Sequence, residues 1–504
     1  MPPADITELH DDPRPRAPDA ERTPRVAIIG GGYAGTATAI KLLDAAVTKL
    51  RVTIVEPRGE LGRGIAYATR DAGHLMNGPA KLFSLHPERP EHFAQYLARF
   101  GGEWNWRDPL APDYLNAFAP RAVFGDYVRA ELTRAVTRAA PLAAFDHIAA
   151  EATDLRRRAG RIEIALSNGQ TLTADHVVLA IGAAPSAPAL AIDPDIAASR
   201  RYLHDPWNLE AYEAVPKTGR VLFIGAGLTM LDALVTLERR GFSGAYTALS
   251  RRGLKLHPRR EVAPLRDFLA EAPLPATARA LLRAARRELA RVTHTRPDWQ
   301  SLVMAIRPHV GALWQRASAE EQARFLRHLR PIWEISLHRA PPRSIQLLER
   351  GRAEGWFAHR AGRITSLRAA PNGRIAARIR PRGRGGEEVL IADAVVNCTG
   401  ASYDWQRART GLAASLLATG AARPGPHGFG IDADQRGAVI GRDGTPAADI
   451  SALGPALRGV RWESNTLVEL LQQATQIAHR LTAAPFNDHG TAASLRQLTP
   501  AGLP

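Results

Sequence analysis

The sequence predicts an α/β fold made of two Rossmann-like dinucleotide-binding units with a helical insert, and three observations carry that expectation. Residues 25–56 read as strand, glycine turn, helix, strand and acid. Residues 221–252 repeat the pattern. Residues 254–355, which follow the second unit, carry apolar residues at the three- and four-residue spacing of helices.

In the first unit a β-branched run from Val26 to Ile29 feeds the turn Gly30-x-Gly32-x-x-Gly35. Gly30 suits the tight strand-to-helix turn, Gly32 lets backbone approach a pyrophosphate, and Gly35 lets the helix pack on the strand. The helix start offers free N–H donors to the anion. A second strand then ends at Glu56, 21 residues after Gly35, where a carboxylate accepts hydrogen bonds from ribose hydroxyls. A glycine-rich turn that binds nothing is the alternative reading.

The second unit opens with Gly225-x-Gly227, but Met230 stands where the third glycine would be, which predicts looser helix–strand packing. Glu56 lies 26 residues after Gly30, and the residue 26 after Gly225 is Arg251. Ser250, Arg251 and Arg252 thus replace the acid with a hydroxyl and two cations. A carboxylate there repels a 2′-phosphate, whereas guanidinium groups bind it through charge-assisted hydrogen bonds. The first unit therefore suits FAD and the second NADPH, unless the basic triplet is only a solvated turn. Two such sites in one chain suggest a flavoprotein reduced by NADPH.

Residues 174–182 and 392–400 are matching apolar strands that end in Gly182 and Gly400 and return the chain to the cofactor edge. Near the C-terminus a strand leads through Gly454-Pro455 to a helix expected to begin near Glu463, Ser464 and Asn465. That helix either faces the flavin pyrimidine, where its dipole stabilises negative charge, or simply packs on the sheet.

At this point the chain resembles the two-dinucleotide-binding flavoproteins, and more narrowly the bacterial FAD/NAD(P)-binding family typified by the YdhS protein. The resemblance spans roughly residues 25–481. It rests on the glycine turn, on Gly62-Arg63-Gly64-Ile65-Ala66-Tyr67, and on His74-Leu75-Met76-Asn77-Gly78-Pro79-Ala80. Pro120-Arg121-Ala122-Val123-Phe124-Gly125-Asp126-Tyr127, Asp205-Pro206-Trp207, the second turn through Met230, and Gly454 to Glu463 complete it. The resemblance implies flavin-dependent hydroxylation of a small acid or nitrogen compound. The linking fingerprint of many N-hydroxylating and Baeyer–Villiger flavoenzymes is not clear in residues 201–207.

Composition sets further bounds. The expected organisation is a leader over 1–24, an FAD domain from 25–195 and 396–484, an NADPH domain from 196–253 and 351–395, a helical insert or cap over 254–350, and a tail over 485–504. The leader has no apolar core of a signal peptide, and no apolar stretch is long and unbroken enough to span a membrane, so a cytoplasmic location is expected. The one cysteine, Cys398, lies in an apolar run and excludes both an internal disulfide and a dithiol relay. The net charge of +16 comes almost wholly from arginine, since lysine occurs only at 41, 49, 81, 217 and 255. That bias, with arginines alternating with glutamates on helix faces, argues against nucleic acid as a partner. No residue spacing suggests a metal site or a hydrolase elbow.

Within the insert, helices are expected over 276–291 and 319–330, with Pro273, Pro275, Pro308 and Pro331 as breaks. Arg327, His338 and Arg339 lie in a run rich in Arg, His and Trp, read either as a pocket wall for an anionic substrate or as a solvated cap. Asn77 is expected at the isoalloxazine edge, or else as the first residue of a tight turn. The expected reaction is NADPH-driven, O2-dependent hydroxylation of a small molecule. Alternatives are an NADPH dehydrogenase serving a quinone or a partner protein, a nucleic-acid-associated flavoprotein, and a non-catalytic redox sensor. Oligomeric state is not legible.

Overall fold

Strand Arg25–Ile29 is buried on both faces, and its alternating side chains serve two different cores. Val26 and Ile28 join one cluster, whereas Ala27 and Ile29 join the other, as expected for the central strand of a covered parallel sheet. The computed structural model describes residues 23–104, 106–185, 190–270, 273–291, 298–408 and 411–483. The expected tail and all but two residues of the expected leader lie outside the described residues.

The first sheet has six strands in the order Ala438–Ile440, Pro446–Ala452, His176–Leu179, Arg25–Ile29, Leu50–Val55, Ala143–Ile148. All neighbours are parallel except the outermost pair. Helices Tyr33–Ala45, Arg121–Ala139 and Leu467–Ala483 pack together on one face. The other face is covered by the antiparallel strands Ala152–Arg158, Arg161–Leu166 and Thr171–Ala174 and by helix Gly411–Thr419.

The second sheet runs Tyr202–Leu203, Ala394–Asn397, Arg220–Ile224, Ala245–Ser250, Phe357–Ala370, Arg374–Pro381, Glu388–Ala392, with Ala191–Ile192 beside Phe357–Ala370. Its first five strands are parallel and the last two form an antiparallel meander. The chain leaves the first unit at Ala184–Pro185 and returns at Ala401–Ser402, and these two connectors pair with each other.

The insert occupies the crossover between Ser250 and Phe357. Helices Ala278–Arg291 and Ala319–His328 stand close to their expected positions. Helices Trp299–Ile306, Val310–Arg316, Arg330–Leu337 and Pro342–Ala353 were not expected. Pro331 and Pro342 open two of them, because a proline in the first turn removes only an N–H that has no helical partner. Ile345 and Leu348 of Pro342–Ala353 join the core of the second unit with Phe223 and Leu234. Trp462 of the returning segment joins the insert's own cluster, with Trp314 and Ile306, and so ties the insert to the first unit.

Candidate functional site

Both glycine turns are built as the spacing requires. Gly30 lies at φ +107°, and a Cβ there would stand 2.5 Å from the Ala180 carbonyl oxygen. Gly225 repeats this at φ +113°, with the Cys398 carbonyl oxygen 2.4 Å from the corresponding point. A Cβ on Gly35 would fall 1.9 Å from the Gly30 oxygen, so helix and strand meet only because that position is bare. Gly32 and Gly227 are the N-caps of helices Tyr33–Ala45 and Leu228–Arg239; neither helix has a side-chain cap or an acid in its first turn. Their first N–H groups therefore stay available to an anion. A Cβ on Gly32 would meet only Gly64, itself at φ +53°, and Gly227 faces open space. These are cradles that fit a pyrophosphate. Gly182, Gly400 and Gly454 lie at φ +71°, +87° and +75°, and the first two border open space.

Met230 does not loosen the second unit as the sequence led us to expect. It is buried in the same cluster as Phe223 and Cys398, so its long side chain fills the gap between helix and sheet.

The two second-strand ends coincide in register. Glu56 follows strand Leu50–Val55 and Arg251 follows strand Ala245–Ser250. Glu56 is buried; its Oε2 accepts from Gly31 N–H at 2.9 Å and its Oε1 from Arg58 N–H at 3.2 Å. Gly31, whose Cβ would stand 2.7 Å from Glu56 Cβ, is a further required glycine that the motif does not contain. Arg251 is exposed and forms no ion pair with described residues. Ser250 accepts from Gly253 N–H at 3.2 Å. Arg252 is turned elsewhere: its guanidinium donates to the carbonyls of Arg327 and His328 at 2.7 and 2.8 Å, closing the end of helix Ala319–His328. It holds the insert rather than standing free for a phosphate.

A cavity of about 230 Å³ lies where the first unit, the start of helix Leu228–Arg239, the insert and the returning segment meet. Leu228, next to Gly227, and Leu467, whose carbonyl accepts from the Tyr33 hydroxyl at 3.3 Å next to Gly32, are both on its wall. The second nucleotide turn therefore abuts the chamber, and the Tyr33 hydroxyl links the helix of the first turn to its wall.

Of the expected substrate residues, Asn77 and His338 line it. Arg327 and Arg339 do not. Arg327 is exposed on helix Ala319–His328, because its position there faces solvent. Arg339 is only 1% accessible and donates to Gln300 Oε1 at 3.0 Å and to Met304 sulfur, so it braces the insert from within.

The cavity's cations are instead Arg121, Arg259 and Arg307. Arg307 is answered by Glu469 at 3.1 Å and Arg121 by Asp232 at 2.8 Å. Arg259 forms no ion pair among the described residues. Burial, reinforced by Arg339 and Arg307, pushes its guanidinium down to about 10. Sequence gave no means of choosing Arg259 from so many arginines. Arg121 lay only within the family-like run.

The returning segment also differs from expectation. Its helix begins at Leu467 rather than at 463–465, since Glu463 lies at φ +67°, outside helical geometry. Gln473 fixes the segment by accepting from Gly454 N–H at 2.9 Å and donating to the Ser464 carbonyl at 3.2 Å.

His86, His92 and the more distant Glu131 place their ligand atoms within 4.8 Å of one another. Their polarity is already used, since His86 Nε2 lies 2.8 Å from Glu131 Oε2 and Arg134 pairs with the same carboxylate.

The site and the two sheets define a two-dinucleotide-binding α/β architecture. Residues 27–184 match the model of a family described as FAD-NAD(P)-binding. No curated protein matches the sequence. Among solved structures, the fold is similar to the ornithine N-hydroxylase of Kutzneria sp. 744, solved with reduced FAD, NADP+ and L-ornithine, at TM-score 0.61 and 16% identity over 92% of this chain and 99% of that one. L-lysine 6-monooxygenase from Pseudomonas syringae gives TM-score 0.60 and 17% identity, covering 91% of this chain and 99% of that one. The cadaverine monooxygenase of Erwinia amylovora, solved with FAD, gives TM-score 0.61 and 11% identity, covering 95% and 100%. Among the described residues no helix is long and apolar enough to cross a membrane.

Proposed function

We propose that the chain is an FAD-dependent, NADPH-using monooxygenase that hydroxylates a small substrate bearing an anionic group and an amine nitrogen. The observation that carries this reading is the chamber bordered by the start of the second nucleotide-binding helix, by Ala66, Tyr67, Met76 and Asn77 of the first unit and by the insert. Gly30, Gly32, Gly35, Gly64 and Glu56 would hold FAD; Gly225, Gly227, Ser250 and Arg251 would hold NADPH. Bound FAD supplies transfer of electrons from NADPH to O2 and insertion of oxygen into the substrate. The protein's own part is to exclude water from the chamber, to orient the substrate and to manage its protons.

Arg259 is the anion receptor in this reading, because it is the cavity arginine without a counter-charge among the described residues. The similar folds that act on ornithine, lysine and cadaverine support an amine as the reacting group. The runs 62–67 and 74–80, which supply Ala66, Tyr67, Met76 and Asn77 to the wall, support kinship with the family typified by the YdhS protein. A cytoplasmic setting suits dependence on NADPH.

The test is incubation of the yellow holoprotein with NADPH, labelled O2 and a panel of amino acids, diamines and aromatic acids. One labelled oxygen atom is expected in the product of a carboxylate-bearing amine. Arg259→Ala should raise KM for that substrate about tenfold or more, from a charge-assisted contact of about 1.5–3 kcal/mol, and leave flavin reduction unchanged. NADPH oxidation that yields no labelled product with any of the panel would overturn the reading.

A further inference from the structure

Glu463 is a carboxylate held against its own preferences. Its backbone lies in the left-handed region at φ +67°, which a side chain with a Cβ rarely adopts. The residue is 3% accessible. Its Oε1 accepts from Trp333 Nε1–H at 2.8 Å, but its buried Oε2 has no hydrogen-bond partner. Backbone strain and an unmet buried oxygen persist together only where the surroundings over-determine them, and such places concentrate at functional sites. The surroundings here are firm. Gln473 ties down Ser464, and Arg458 stacks over Trp462 at 4.5 Å while bonding Glu334 at 2.6 Å.

The unmet oxygen faces His338, whose Nε2 stands 4.0 Å away. His338 closes helix Arg330–Leu337, leaves it at ψ 71°, and lies on the cavity wall with its side chain 31% accessible. The imidazole thus stands between the chamber and a buried carboxylate. A small rotation of either side chain makes the contact a hydrogen bond, a tightening common when a site is filled.

We propose that His338 accepts a proton from the bound substrate and that Glu463 is the positioning residue that orients its imidazole and steadies the charge gained. The proposal rests on the hydroxylase reading above. An amine must be unprotonated to offer its electron pair. In the step, a substrate ammonium breaks one N–H bond, the electron pair stays on nitrogen, and the proton passes to Nδ1 of His338, whose Nε2 is turned to Glu463. No oxidant or reductant takes part.

Burial holds the imidazole below its usual range; Glu463 and Glu334 oppose that shift, and Arg458 and Arg307 add to it. Burial thus favours the neutral ring, the form that can take up a proton.

The experiment has two readouts on the FAD-loaded, full-length protein. Histidine side-chain NMR, with the His338 signal assigned by its loss in His338→Gln, follows the titration of the oxidised protein without substrate. Glu463→Gln keeps the shape and removes the charge, so the His338 midpoint should fall by roughly half a pH unit or more. In steady-state hydroxylation, His338→Gln should lower kcat at neutral pH about 100-fold, with recovery as pH rises and the amine loses its own proton. Glu463→Gln should lower kcat about tenfold with KM changed less than about twofold. A His338 midpoint unmoved in Glu463→Gln, or a His338→Gln kcat equal to wild type across the pH range, overturns the proposal. If His338→Gln does not load FAD, the NMR shift between wild type and Glu463→Gln decides, with His338→Asn for assignment. If no amine is hydroxylated at all, the function reading fails while the NMR result still decides whether the two residues are coupled.

Discussion

Arg121 of the first unit and Asp232 of the second form an ion pair at 2.8 Å with only 13% and 11% of their side chains accessible. Arg121 also lies 5.5 Å from the ring centre of Trp207, and His74 Nε2 reaches Thr236 Oγ1 at 2.8 Å and the Asp232 carbonyl at 3.1 Å. Asp71 meets Arg239 at 2.9 Å beside them. Helix Leu228–Arg239, which carries the second nucleotide turn, is thus fastened to the first unit along its length. This fixes the distance between the two turns.

Breaking that pair from one side leaves a buried charge without its partner. Arg121→Ala is expected to cost about 3 kcal/mol or more in denaturant unfolding. Removing both charges with Arg121→Leu and Asp232→Leu together should recover much of the loss, because two apolar side chains need no desolvation. A double-variant loss equal to the sum of the two single-variant losses would show that the pair contributes no coupling.

The glycines of the first turn separate folding from cofactor binding. Gly35→Ala drives a Cβ to 1.9 Å from the Gly30 oxygen, so it should lower stability by several kcal/mol, of the order seen for severe backbone clashes. Gly32→Val meets only Gly64 and should fold, yet purify without FAD because its branched side chain fills the pyrophosphate path. Circular dichroism and the flavin absorbance of the two purified variants distinguish the outcomes. A yellow Gly32→Val protein would remove the turn from the cofactor site, as would release of FMN from the wild type on denaturation.

The basic triplet of the second turn divides in the same way. Arg251 is exposed and free of ion pairs with described residues, so Arg251→Ala should weaken flavin reduction by NADPH about tenfold or more and spare NADH, the loss of one charge-assisted contact. Arg252 closes the helix Ala319–His328, so Arg252→Ala should instead loosen the insert and raise its susceptibility to limited proteolysis with both nucleotides alike. Stopped-flow reduction with each nucleotide reads both effects. Equal losses with NADPH and NADH in Arg251→Ala would assign that residue to the fold.

Histidines held below their usual range set an acid limit on stability. Burial, with Arg352 and Lys255 adding to it, pushes His359 down to about 4, and burial holds His74 below its usual range. A histidine whose folded pKa is depressed binds fewer protons in the folded than in the unfolded chain between the two values. Its stabilising contribution is complete above the unfolded pKa near 6.5 and is lost as pH falls toward the folded value. The unfolding midpoint in urea should therefore drop between pH 7 and pH 5, and His359→Gln should make that slope shallower. A midpoint independent of pH in this window would contradict both assignments.

The sequence by itself determined the two nucleotide units, because their requirements are local: a buried strand, glycines at fixed offsets (three in the first unit, two in the second), and one residue at the end of the next strand. Gly30, Gly35 and Gly225 are legible since each answers a backbone clash with a near neighbour in the chain or the adjacent strand. The opposition of Glu56 and Arg251 is legible for the same reason. Only the tertiary structure decided the contents of the chamber. Arg259, Asn77 and His338 on its wall, and Glu463 behind His338, come from four separate parts of the chain, and arginine is too abundant here for its type to mark a role. Arg327 and Arg339 looked equally eligible in sequence. One faces solvent on its helix, whereas the other, just past the end of helix Arg330–Leu337, is drawn inward to Gln300 and Met304 of helix Trp299–Ile306, a pairing that only the packing of the insert decides. The left-handed turn at Glu463 was invisible as well: nothing in its neighbours' identities requires it, and it is imposed by Trp333 and the segment fixed by Gln473 around it.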